Sequence, residues 1–366
     1  MAVRRKKLMG AVGLALCAYA LSVGLDQGLV APASAGQDSS ELVRPAGRDK
    51  VPLVSGLLGH LPLPGPARSR QEGAYWTAQR MGEALPVDVA RVVRLGSDLS
   101  EALEQLSLAG VLPRTAEHFE GMPMVGTFFY DGSPVSGKAT YCTGSVVHSG
   151  GHSLVLTAGH CALGLTHARH AIFVPDYHFG YSAAAQPYGF YPATCLFVDP
   201  RYRANTKQAV SDLDLAFVQV DANDRGKRLE DVTGALTFAQ TPRYNNHVTV
   251  IGYPYSAAVN PAHKAVHCDV ATKRLLGFRQ MQMECNGFYG GVSGGPWISD
   301  YNPSTETGRV IGSVGGYNGG GNDANADNVT YSPLYGKDAQ DLYNDANAGR
   351  AVLRPHSYDP ATASTG

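Results

Sequence analysis

Gly290-Gly291-Val292-Ser293-Gly294-Gly295-Pro296 sets one serine among four glycines and ends on a proline. A serine hydroxyl is a weak nucleophile at neutral pH. It needs a base within hydrogen-bond reach, and the base needs a partner that fixes its tautomer. Two stretches upstream can supply both. In Leu156-Thr157-Ala158-Gly159-His160-Cys161 a histidine follows the apolar run Leu154-Val155-Leu156. In Asp214-Leu215-Ala216-Phe217-Val218 an aspartate directly precedes a small apolar run. Histidine, aspartate and serine therefore occur in that chain order, each in a setting that suits one part of acyl-transfer chemistry. The neighbouring Asp212 reads as a solvated loop carboxylate.

The three blocks resemble the signatures of the chymotrypsin-like (trypsin-like) serine peptidases, and are most similar to the secreted bacterial trypsin-like and V8-like members. The resemblance runs from Phe119 to Asp345. It implies an all-β fold of two packed six-stranded antiparallel β-barrels with a short C-terminal helix over Asp338 to Ala348, and a cleft between the barrels. It implies that Ser293 attacks the scissile carbonyl, His160 acts as base and then acid, and Asp214 orients His160. The backbone N–H groups of Gly291 and Ser293 occupy the family's oxyanion-hole positions. Residues 119–126 look like the opening strand. Cys142 and Cys161 sit where the family bridges the strand before the histidine to the residue after it. In Ile311-Gly312-Ser313-Val314-Gly315-Gly316 the resemblance places the substrate-pairing strand, with Ser313 under the triad and Gly315 against the peptide.

Other features separate this chain from its nearest alternatives. Gly291-Val292-Ser293-Gly294-Gly295 also fits the nucleophile elbow of α/β-hydrolases, but that fold needs an acid and a histidine after the serine and a helix behind it. Only His356 follows Ser293, and Gly294-Gly295-Pro296 is a poor helix start. Trypsins carry an aspartate six residues before the nucleophile, where this chain has Gly287, so a preference for Arg or Lys is not supported. Residues 309–317 contain no histidine and Phe288 follows Gly287, so glutamate selectivity is not supported either. Phe288 and Tyr289 either shape an apolar specificity pocket or pack inward. Val292 stands where animal zymogens have an aspartate that pairs with a new N-terminal amine; a valine cannot form that ion pair.

The chain has 366 residues, 44% hydrophobic and 17% charged, with formal net charge −1, enough apolar content for a sizeable core. Residues 115–350 hold 16 Lys+Arg against 20 Asp+Glu and no basic block, which gives nucleic-acid or anionic-membrane binding no electrostatic support. Arg4-Arg5-Lys6-Lys7, an apolar stretch from Leu8 to Leu25 and Ala33-Ser34-Ala35 read as a secretory signal peptide over residues 1–35. A retained membrane anchor is the alternative. Cleavage removes Cys17 and leaves five cysteines in an export compartment that favours disulfides. Cys142–Cys161 and Cys268–Cys285 are the expected pairs, and Cys195 is left as a buried thiol. His263 and His267 read as loop or surface residues, and no ligand spacing suggests a metal. Residues 59–70 form a proline-rich linker, and Asp98 to Leu108 is a capped helix ended by Gly110. Residues 36–114 read as a pro-region, with a flexible linker as the plainer alternative. Residues 115–350 form the peptidase domain and 351–366 a disordered tail. The expected protein is a secreted, monomeric serine endopeptidase that acts on proteins or peptides without a cofactor and without stable membrane association after signal cleavage. The rival is a protease-like binding protein that has lost catalysis.

Overall fold

The computed structural model describes residues 56–57, 66–88, 114–131, 138–166, 168–204, 206–324 and 326–350, with Val352, Tyr358 and Pro360. The expected signal peptide and the helix over Asp98 to Leu108 lie outside these residues. Along the chain, β1 (Gly56–Leu57) is followed by α1 (Pro66–Tyr75), α2 (Ala78–Gly82) and β2 (Leu85–Pro86). The linker expected over 59–70 is therefore interrupted: Pro66 opens a helix, where its fixed φ and missing N–H cost nothing. Thr77 caps α2 by accepting from the Arg80 N–H at 3.2 Å. Trp76, Met81 and Ala84 are buried against the first barrel, and β2 pairs in parallel with residues 140–141.

After β3 (Arg114–Thr115) and β4 (Glu117–His118), six strands form the first barrel: β5 (Val125–Tyr130), β6 (Thr140–Val147), β7 (Leu154–Thr157), β8 (Ala171–Pro175), β9 (Tyr191–Val198) and β10 (Ala216–Val220), with α3 (Gly159–Leu165) between β7 and β8. The antiparallel ladder runs β8-β5-β6-β7-β10-β9 and closes from β9 back to β8. Successive residues of a strand face opposite sides. On β5, Phe128 points inward to Phe173, with ring centroids 5.0 Å apart, while Phe129 points outward to Trp76 and Tyr177. The opening strand begins at Val125 rather than at Phe119, because Gly121 (φ 95°) and Pro123 break the extended run.

The chain then passes through α4 (Leu229–Thr233) and β11 (Thr237–Phe238) into the second barrel: β12 (His247–Gly252), β13 (Val266–Ala271), β14 (Lys273–Leu275), β15 (Gln280–Asn286), β16 (Pro296–Asn302), β17 (Thr307–Ser313) and β18 (Val329–Pro333). Its ladder comes in two parts, β17-β16-β12-β13 and β14-β15-β18. The Cys268–Cys285 bridge joins β13 to β15. The Ser313 N–H to Ser332 Oγ bond (3.0 Å) joins β17 to β18. Trp297, Ile311, Phe288 and Val292 fill its core. The closing helix α5 (Lys337–Asn347) turns Ala339, Leu342 and Ala346 inward and stacks Tyr343 on Phe238. Within the expected disordered tail, Val352 is buried in the main core and the Tyr358 hydroxyl donates to Asp212 at 3.2 Å. No helix among the described residues is long and apolar enough to cross a membrane.

Candidate active site

His160 is the second residue of α3, just past the end of β7. Its main-chain N–H donates to Asp214 Oδ1 at 2.9 Å, and its Nδ1 lies 2.9 Å from Oδ2 and 3.1 Å from Oδ1. Asp214 ends the 3-10 turn Ala209–Leu213 ahead of β10 and is fully buried. A third donor, the Gly316 N–H, reaches Oδ2 at 2.7 Å. Burial pushes the Asp214 carboxyl up, but the His160 charge and the hydrogen bonds from His160 and Gly316 outweigh it and hold its pKa below the ordinary range. An ionised Asp214 fixes the proton of a neutral imidazole on Nδ1 and leaves Nε2 as the basic nitrogen.

Ser293 sits in a loop of the second barrel that is fastened to the first. The Thr143 N–H, on β6, donates to Ser293 O at 2.9 Å, and Thr143 Oγ1 donates to Gly291 O at 2.8 Å. Gly294 makes this approach possible. It has φ 84°, and a Cβ there would lie 2.2 Å from Thr157 Oγ1 and 2.3 Å from Thr143 O. Cys161, directly after His160, has its Sγ 3.7 Å from Ser293 O and is bridged to Cys142. The histidine-bearing helix and the serine loop thus meet at one seam between the barrels. The same loop receives a residue that no motif announced. Asp88, just after β2, accepts from the Gly291 N–H through Oδ1 at 3.0 Å and from Ser293 Oγ through Oδ2 at 3.2 Å.

Several expected placements change. Asp212 is buried rather than solvated. It accepts from Gln280 Nε2 (2.9 Å), the Arg279 N–H (3.2 Å) and the Tyr358 hydroxyl, and burial pushes its pKa up against those bonds. Gln280 also donates to Ser211 Oγ at 2.9 Å and accepts from the Tyr317 N–H at 2.8 Å, tying the Asp214 turn to the segment that carries Gly316. Ser313 Oγ accepts from the Tyr335 hydroxyl at 2.7 Å, and, three residues on, the Gly316 N–H donates to Asp214. Phe288 and Val314 are fully buried in the second core, and the Gly315 N–H donates to Tyr331 O at 3.0 Å. Gly287 donates its N–H to Asp327 Oδ2 at 2.8 Å, which brings a carboxylate to a position where the sequence showed none.

Both expected disulfides, Cys142–Cys161 and Cys268–Cys285, are formed. Cys195 is not a thiol: it too is disulfide-bonded, its partner lying outside the described residues. His263 is buried rather than at a loop surface. It stacks on Tyr141 with centroids 5.0 Å apart, and burial pushes its pKa down to about 4. Among the described residues no cluster of His, Cys, Asp or Glu is arranged to hold a metal ion.

Two barrels with a histidine, a buried aspartate and a serine at their seam are the architecture of chymotrypsin-like serine proteases. Residues 142–312 match the model of the trypsin-like peptidase domain. Among solved structures, protease Anisep from Arthrobacter nicotinovorans is similar at 26% identity and a TM-score of 0.53, over 64% of this chain and 100% of its own. The thermostable serine protease AL20 from an extremophilic microorganism matches at 25% identity and a TM-score of 0.48, over 62% of this chain and 97% of its own. No curated protein matches the chain.

Proposed function

We propose that the protein is a secreted serine endopeptidase that cleaves peptide bonds through an acyl-enzyme formed on Ser293. The observation that carries this reading is the buried carboxylate of Asp214, held by the main-chain N–H groups of His160 and Gly316 and bonded to His160 Nδ1, at the seam where Thr143 fastens the Ser293 loop. In the proposed reaction His160 Nε2 takes the hydroxyl proton as Ser293 Oγ attacks the carbonyl carbon. The N–H groups of Gly291 and Ser293 receive the oxyanion. As the tetrahedral intermediate collapses, the imidazolium returns the proton to the leaving amine; water, deprotonated by the same imidazole, then releases the acid. Asp214 stays ionised throughout and stabilises the imidazolium. Export is supported by the leader composition and by the disulfides. Incubating the mature protein, freed of the residues before about 115, with a denatured proteome and sequencing the new chain ends tests the reading. Internal cleavages that vanish in Ser293→Ala are expected. Cleavages that persist in Ser293→Ala, or that only trim chain ends, would contradict it.

A further inference from the structure

Resting on the peptidase reading, we propose that residues 66–88 are a built-in ligand of the catalytic seam, and that the Asp88 carboxylate closes it. The segment is seated on the first barrel along its length. Trp76, Met81 and Ala84 are fully or almost fully buried, and Arg68 Nη2 donates to Ala193 O at 2.7 Å. The last stretch runs beside β6, with the Leu85 N–H donating to Ala139 O at 2.9 Å and the Val87 N–H to Tyr141 O at 3.2 Å. That pairing fixes the next residue, Asp88, over the Ser293 loop.

The two oxygens of Asp88 engage the two groups the reaction most needs. Oδ1 takes the Gly291 N–H, one of the donors meant for the oxyanion, and Oδ2 takes the hydroxyl of Ser293. A hydroxyl has one proton to donate, and here it is directed to a carboxylate. A charged acceptor on a backbone N–H also makes a stronger bond than a neutral carbonyl would. What occupies the site is a side-chain carboxylate and not a main-chain amide. It presents no scissile bond and its carbon is a poor electrophile, so the occupant is not consumed. The chain is thus latent while Asp88 is in place. Removing Asp88 from the seam, and not reorganising the Ser293 loop, is the activating event.

The experiment uses the full chain as wild type, Asp88→Ala and the near-isosteric Asp88→Asn. One readout is the rate of labelling by a fluorophosphonate; the other is hydrogen exchange at the Gly291 amide, which does not depend on activity. Asp88→Ala should label at least tenfold faster than wild type, with faster exchange at Gly291, and Asp88→Asn should fall between them. Labelling of both wild type and Asp88→Ala at equal, measurable rates would overturn the proposal, as would unchanged exchange at Gly291. If exchange rises in Asp88→Ala and no form labels, the contact stands and it is the peptidase reading that fails.

Discussion

Asp214 depends on Gly316, and nothing in the Asp-Leu-Ala-Phe block says so. Gly316 has φ 100°, and a Cβ there would lie 2.4 Å from Gln280 Oε1, so a side chain at this position displaces either the N–H that reaches Asp214 or the amide that braces the segment. Gly316→Ala is expected to lower kcat by one to two orders of magnitude with a small change in KM, measured on a chromogenic peptide; an equal kcat would remove Gly316 from the account. Asp214→Asn should cost roughly 10⁴-fold in kcat, because the imidazole then presents the wrong tautomer. Asp212→Asn should be much milder in kcat, since Asp212 acts on Gln280 and Tyr358 and not on His160. His160, Asp214 and Ser293 were legible in the sequence because motif and chain order name them. Asp88, Gly316 and Gln280 were not: each acts through a contact with a residue at least 37 positions away in the chain.

The strands and α5 were legible because short apolar runs between Gly, Asn, Asp and Pro clusters can bury themselves only by pairing. The N-terminal helices were not, because their stability comes from the barrel face they cover. One interaction makes that docking sensitive to pH. Glu72 on α1 is 3% exposed, with His170 Nδ1 3.3 Å from its Oε2 and Tyr75 stacked on the His170 ring. Burial pushes the Glu72 pKa up to about 7 against the pull of Arg68, with Asp131 adding to the rise. A raised acid binds its proton more tightly in the folded state, so its contribution is fully present below the unfolded value near 4.5 and is lost as pH rises through about 7. The loss is on the order of 2–3 kcal/mol by pH 8. The urea midpoint of the full chain should therefore fall between pH 5 and pH 8, and Glu72→Gln should flatten that slope; an unchanged slope would contradict it. The Cys142–Cys161 bridge is a second element-scale device. With a sequence separation of 19, its replacement by two alanines should cost about 3 kcal/mol in the same urea assay.

At the scale of the molecule, two barrels share the seam that holds His160, Asp214 and Ser293, and residues 66–88 lie beside it with Asp88 on the Ser293 loop. Val292, buried in the second core, packs beneath Gly252 and offers no carboxylate to a freed amine. Acetylating the N-terminus should then leave kcat/KM within about twofold, a difference of roughly 0.4 kcal/mol; a collapse confined to the blocked protein, with the fold intact, would show that the amine has a partner. The most direct measurement for the whole account is to label the Asp88→Ala chain with a fluorophosphonate and map the adduct by mass spectrometry. The account predicts one adduct, on Ser293, that is lost in the His160→Ala background. An adduct on another residue, or labelling of Ser293 that does not need His160, would contradict it.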